Sequence, residues 1–118
     1  MIAKALILGL FLVLGTNVKA QEPAKSAPTV RILLDNEKVK VIEAEFAPGA
    51  ATDWHSHPNH ILYALTDGKM EVTDKDKPAI VMDIKAGNAM YLPAVTHKIK
   101  NIGTATMKIL VTELKPAP

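Results

Sequence analysis

The residues best suited to chemistry in this chain are its histidines. His55, His57 and His60 lie within six consecutive residues, and the fourth histidine, His97, lies far along the chain. Successive side chains of a β-strand point to opposite faces, so His55 and His57 share a face. Neutral imidazole is a common ligand of divalent transition metals. The spacing therefore predicts a sheet that presents two imidazoles to one metal ion.

The other two histidines extend this prediction to three or four ligands. One histidine on a half-exposed sheet would be an ordinary polar side chain, but three of four at these spacings favour a metal site with His97 as a further ligand. Strict alternation places His60 on the face opposite His57. Pro58 and Asn59 can break or bulge the strand and reset that phase. His60 is thus a fourth candidate ligand, and its alternative is a place at the rim facing substrate or solvent.

The N-terminus has the pattern of a secretory signal peptide. Lys4 precedes an apolar run from Ala5 to Leu14, and small residues lead up to Ala20. The run is shorter than the ~20 apolar residues that a spanning helix needs. We therefore expect residues 1–20 to be removed, the mature protein to be periplasmic or secreted, and no membrane contact afterwards. There is no cysteine, so neither a lipid anchor on cysteine nor a disulfide is available.

Charge excludes one class of partner. The whole chain has 14 basic and 12 acidic residues. Lys4 and Lys19 leave with the signal peptide, which leaves 12 of each and a net charge of zero. No basic run remains that would bind nucleic acid. A net charge near zero favours self-association, so a homodimer is expected.

The mature chain consists of short strand-like segments between turns. Residues 21–28 are polar, include two prolines and form a flexible leader, and residues 29–115 form one domain. Alternation in Val39–Phe46 places Ile42, Ala44 and Phe46 on its inner face. No segment has convincing helical periodicity. Eight or nine short strands predict an all-β sandwich or barrel.

The residues also resemble a known superfamily. Gly49, His55-x-His57 and Gly68 resemble the first cupin motif, and Gly87, Pro93, His97 and Asn101 resemble the second. The chain is thus similar to a small single-domain cupin. The resemblance implies a double-stranded β-helix (jelly-roll) barrel that holds a metal through His55, His57 and His97. Ile61 stands where the family usually has a glutamate ligand, and the adjacent His60 is the obvious substitute.

Such a site has a limited range of chemistry. The ion would be divalent Fe, Mn, Zn, Ni or Cu, and neutral ligands would leave its full charge to attract a small anionic or chelating ligand. A metal-dependent enzyme, such as a dioxygenase or an isomerase, is one interpretation. A non-catalytic metal- and small-anion-binding cupin is the second, and a metal-free structural or interaction barrel is the third. Asp53, Glu43 or Glu45 could orient the histidines.

Overall fold

The computed structural model describes residues 26–118, so the predicted signal peptide and most of the leader lie outside the described residues. The described part contains nine β-strands, which pair in antiparallel fashion throughout. They are β1 (Thr29–Asp35), β2 (Val39–Phe46), β3 (His55–His57), β4 (His60–Ala64), β5 (Gly68–Asp74), β6 (Ile80–Ile84), β7 (Ala89–Leu92), β8 (Val95–Asn101) and β9 (Met107–Leu114). From Ser26 onward, no helix is long and apolar enough to cross a membrane.

The strands form two sheets that enclose the core. The larger sheet has the order β1-β2-β9-β4-β7, and the smaller has the order β3-β8-β5-β6. Alternation along the strands turns apolar side chains inward, including Phe46, Met70, Met107 and Ile109, each at most 2% exposed. On β2, Ala44 and Phe46 are buried as the sequence predicted. The prediction of an all-β fold is confirmed.

The histidine-rich stretch is two strands in different sheets. Pro58 and Asn59 separate β3, which pairs with β8, from β4, which pairs with β7 and β9. Proline has no N–H to donate to a ladder and fixes φ, so the strand ends there. The Asn59 side chain then accepts a hydrogen bond from the Ala94 N–H at 2.9 Å. This break resets the phase, and His60 is buried at 2% exposure.

Asn101, the last residue of β8, fastens the small sheet to the large one. Its side chain is fully buried. The amide donates to the carbonyl oxygens of Phe46 at 3.0 Å and Ala105 at 2.9 Å, and its oxygen accepts from the Gly103 N–H at 2.9 Å. Asn101 therefore fixes the end of β8, the strand that carries His97.

Candidate metal centre

Strand register brings the distant histidines together. His55 of β3 lies directly opposite His97 of β8, and His57 lies two residues further along β3 on the same face. The ring centroids are 4.7 Å apart for His55 and His97, 4.8 Å for His55 and His57, and 5.2 Å for His57 and His97. One nitrogen from each ring lies within 4.8 Å of the others. These three residues form a group that could hold a metal ion.

The hydrogen bonds at Nδ1 of His55 and His57 leave the Nε2 atom of each ring available to a metal ion. His55 Nδ1 donates to the carbonyl oxygen of Asp53 at 2.9 Å, and His57 Nδ1 donates to Glu113 Oε2 at 2.5 Å. Both partners only accept, so each ring carries its proton on Nδ1 and keeps the Nε2 lone pair for a ligand bond. The His97 ring has Asp74 Oδ1 3.9 Å from its Nδ1.

The Nε2 atoms of His55 and His97 have the spacing of two ligands on one metal ion. His55 Nε2 and His97 Nε2 are 3.1 Å apart. Two imidazole nitrogens at ~2.0–2.1 Å from one zinc ion would be about 2.8–3.4 Å apart at right-angled to tetrahedral geometry. His55 and His97 therefore fit a divalent transition metal in both donor chemistry and spacing, and His57 offers a third ligand atom within 4.8 Å of theirs.

Burial keeps the rings of His97 and His57 neutral. Burial lowers the pKa of His97 to about 4, and the nearby rings of His55, His57 and His60 add to this effect. Burial also lowers the pKa of His57, against the opposing effect of the hydrogen bond that His57 donates to Glu113. A metal competes with a proton for the same lone pair, so rings that resist protonation remain free to bind metal near neutral pH.

His60 lies beside this group. Its Nδ1 donates to the carbonyl oxygen of Pro58 at 2.8 Å, and its ring centroid is 4.8 Å from that of His57. The compact group of ligand atoms contains His55, His57 and His97 without it. Ile61, at the position of the family glutamate, lies on the other face of β4 and is 38% exposed.

The carboxylate at the site is one that the sequence analysis missed. Glu43 and Glu45, two of the three predicted orienting residues, instead pair with Arg31 at 3.4 Å and Lys108 at 3.7 Å. Asp53 binds His55 through its backbone carbonyl. Glu113 of β9 supplies the acceptor for His57. The signal for it was present, because alternation along β9 places Glu113 on the same inner face as Met107 and Val111.

Two cavities open on either side of the histidines. The β2 cavity, of about 510 Å³, is lined by His55, His57 and Glu113 with mainly apolar residues of β2 and β9. The β6 cavity, of about 530 Å³, is lined by His97 with apolar residues of β4–β8. Either cavity is large enough for a small organic molecule.

Comparisons with known proteins agree with this architecture. The cupin domain family model, Cupin_2, matches residues 42–113. Beta-alanine degradation protein BauB of Pseudomonas aeruginosa is 35% identical over 95 residues, which cover 77% of this chain and 95% of that protein. The part of the chain that the family model matches runs from β2 to β9 and includes both histidine-bearing motifs.

Solved structures show the same fold. A cupin domain from Bordetella pertussis has a TM-score of 0.74 and 24% identity, covering 78% of this chain and 97% of that chain. A structure of Bacillus subtilis oxalate decarboxylase, an enzyme with Mn(II) centres, has a TM-score of 0.60 and 26% identity, covering 83% of this chain and 29% of that chain. The predicted double-stranded β-helix is confirmed, and the chain belongs to the cupin family.

Proposed function

We propose that this protein is a metal-dependent cupin enzyme that acts on a small anionic or chelating molecule, as a dioxygenase or an isomerase. His55, His57 and His97 bind one divalent transition metal. The observation that carries the proposal is the pair of Nδ1–H bonds to Asp53 and Glu113, which leave the Nε2 lone pairs of His55 and His57 free in a group whose ligand atoms lie within 4.8 Å of one another. Side chains without such a function would have no need of a shared orientation.

The protein supplies the surroundings of the reaction. A bound ion would polarise an oxygen of the substrate and would bring open coordination positions. Glu113 holds the His57 ring, and the apolar walls of the β2 cavity exclude water from the bound molecule. Three neutral ligands leave the charge of the ion uncompensated, which favours an anionic substrate.

The relatives support the class of substrate and the kind of metal. BauB is named for the degradation of β-alanine, a small carboxylate, and oxalate decarboxylase is named for another. The Mn(II) centres of the latter show that Mn²⁺ suits this fold. Fe, Zn, Ni and Cu suit imidazole ligands as well. The small carboxylates named by these proteins agree with the anionic substrate proposed here.

We further propose that the protein works as an exported, mature chain beginning at Gln21. The pattern of residues 1–20 supports this, and these residues lie outside the described part of the structure. A protein that folds after export meets metals that the cytoplasm does not control, so the site would fill along the Irving–Williams order, with Cu, Ni or Zn ahead of Fe and Mn. N-terminal sequencing of protein from the periplasm or medium tests the cleavage.

A homodimer is part of the same proposal. β1 is an edge strand of the larger sheet, and Val30, Ile32, Leu33 and Leu34 on it are 44–58% exposed. An apolar edge strand is suited to pairing with a second chain, and a two-fold axis would let two copies of β1 pair with each other. Light scattering on the mature protein tests this. A mass of one chain at micromolar concentration would contradict it.

The experiment that tests the metal centre measures metal content and thermal stability of the mature protein. We expect about one metal per chain and a higher melting temperature when it is bound, since a ligand at ~100 times its Kd stabilises by about 2.7 kcal/mol. His57→Ala should lose the metal. His60→Ala should keep it, because His60 lies outside the compact ligand group. Wild-type protein that takes up no metal would refute the proposal.

Turnover is tested separately from metal binding. The metal-loaded protein is mixed with small carboxylates and enediols, and oxygen uptake and product formation are followed. Consumption that disappears in His57→Ala supports an enzyme. Ligand binding without any turnover would leave the second interpretation, a protein that captures a small anion at the same site.

A further inference from the structure

A lysine lies next to the carboxylate that orients the metal site. Lys40 is half-buried on the inner face of β2 and lines the β2 cavity with His55 and His57. In the larger sheet it lies directly opposite Glu113 of β9. Opposite residues of antiparallel strands have Cα atoms about 4.5–5.5 Å apart. The Lys40 side chain therefore begins beside the residue that holds His57.

The carboxylates on either side of Lys40 have other partners. Asp35 lies opposite Lys40 on β1 and accepts from Lys115 Nζ at 2.5 Å. Glu113 accepts from His57 Nδ1 at 2.5 Å. Lys40 itself forms no ion pair with any residue that the structure describes. The pKa of Asp35 is lowered mainly by the hydrogen bond from Lys115 and to a smaller extent by the charge of Lys40, so Lys40 interacts with Asp35 without a close ion pair. Lys40 also lines the mainly apolar β2 cavity.

A cation in such a place selects its ligand by charge. Water is partly excluded from the apolar cavity, which strengthens the attraction between an ammonium and an anion. Lys40 is the cationic side chain that lines the β2 cavity, and the candidate metal ligands His55 and His57 line the same cavity with Asp53 and Glu113. A molecule bound in the cavity could contact both Lys40 and the metal.

We propose that Lys40 binds a carboxylate of the substrate while a second oxygen donor of the same molecule binds the metal. The substrate is then a short-chain acid with an oxygen donor at each end, such as a dicarboxylate. It is short because Lys40 and His57 both adjoin Glu113. This inference rests on the proposed function, because it needs the ion at the three histidines.

The β6 cavity offers a competing arrangement. It has Lys75 and Lys77 at its wall, but Asp74 lies in the same wall and partly offsets their charge. Of the three metal ligands it is lined only by His97. The β2 cavity has carboxylates in its wall as well, Asp53 and Glu113, but Glu113 is held by His57. It is the better place for the substrate because it is lined by two of the three candidate metal ligands together with Lys40.

The test compares Lys40→Met, which keeps the length of the side chain, with Lys40→Arg, which keeps the charge. Lys77→Met is the matched control, because it removes a lysine from the other cavity. Each protein is loaded with Zn²⁺, its zinc content is measured, and acetate, malonate and succinate are titrated by calorimetry. Acetate can reach the metal but not Lys40 at the same time, so it reports the metal contact alone.

If Lys40 binds a carboxylate of the substrate, we expect a dicarboxylate to bind the wild-type protein more tightly than acetate does. Lys40→Met should weaken that dicarboxylate about 10- to 100-fold, the range for a hydrogen bond to a charged group, with zinc content and acetate affinity unchanged. Lys40→Arg should retain most of the preference, and Lys77→Met should match wild type.

Other outcomes overturn it. Dicarboxylate affinity that is unchanged in Lys40→Met, or lost in Lys77→Met instead, would refute the role of Lys40. Wild-type protein that takes up zinc but binds no dicarboxylate more tightly than acetate would refute the substrate class and leave the metal centre standing. Wild-type protein that takes up no zinc would refute the proposed function, and the inference would fall with it.

Discussion

Replacing Glu113 should weaken metal binding even though Glu113 is not in the group of metal ligands. Its Oε2 is the acceptor for the His57 Nδ1–H at 2.5 Å, and this bond fixes which nitrogen of the ring carries the proton. In Glu113→Ala the His57 ring can rotate or change tautomer. Metal binding must then restore the ring orientation that Glu113 fixes in the wild type, which lowers the net binding free energy. The effect should appear in affinity, with the stoichiometry unchanged.

The magnitude follows from the type of bond. Loss of an orienting partner of a ligating histidine lowers metal affinity about 10- to 100-fold, which corresponds to about 1.4–2.7 kcal/mol. A hydrogen bond to a charged group contributes about 1.5–3 kcal/mol, which is the same range. Both groups are 14% exposed at the side chain, so screening by water removes little of this value. Glu113→Gln keeps an acceptor oxygen without the charge and should show a smaller loss.

The assay is a competition titration of Zn²⁺ between the protein and a chromophoric chelator, with each variant compared to wild type. Glu45→Ala is the matched control, because Glu45 pairs with Lys108 away from the histidines. Circular dichroism of the metal-free variants checks that they fold. A Glu113→Ala protein that folds and binds zinc within about twofold of wild type would refute the reasoning.

Two further predictions concern stability. In the metal-free protein, stability should fall as pH drops from 6.5 to 4, by about 3 kcal/mol from His97 alone, because unfolded His97 takes up a proton in this range and folded His97, with its pKa of about 4, does not. Urea unfolding across this range tests it, and an equally steep loss in His97→Gln would contradict it. Gly68→Ala should destabilise by about 1–3 kcal/mol, because an added Cβ would overlap Met107 Sδ and lie 2.8 Å from its Cγ. Lys69→Ala on the same strand is the control, and a Gly68→Ala protein as stable as that control in urea would show that Met107 can move aside.

Local sequence was sufficient for the elements and for part of the site. Alternation in β2 gave the inner face with Ala44 and Phe46, because one side of the strand is buried and the period of a strand is two residues. His55 and His57 share a face for the same reason. The prediction that His97 joins His55 and His57 was drawn from the cupin resemblance. The physical cause is the register of β3 with β8, which places His97 opposite His55.

The position of His60 depended on a feature that periodicity does not encode. Pro58 and Asn59 were recognised as a point where the phase could change. The outcome, with β3 in the small sheet and β4 in the large one, follows from which strands pair over long distances. The same long-range pairing buries His60 beside His57 and turns Ile61 outward.

The polar surroundings of the site were decided by tertiary structure. Glu113 lies opposite Lys40 on one side and His60 on the other, because β9 is inserted between β2 and β4. β9 lies far along the chain from β2 and β4, and nothing in any one of these strands specifies the register of its neighbours. The sequence by itself determined the strands, the paired histidines and the family. The order of the strands in the sheet determined which carboxylate orients the candidate metal ligands and which lysine lines the cavity, since side-chain partners across a sheet are set by register and not by local periodicity.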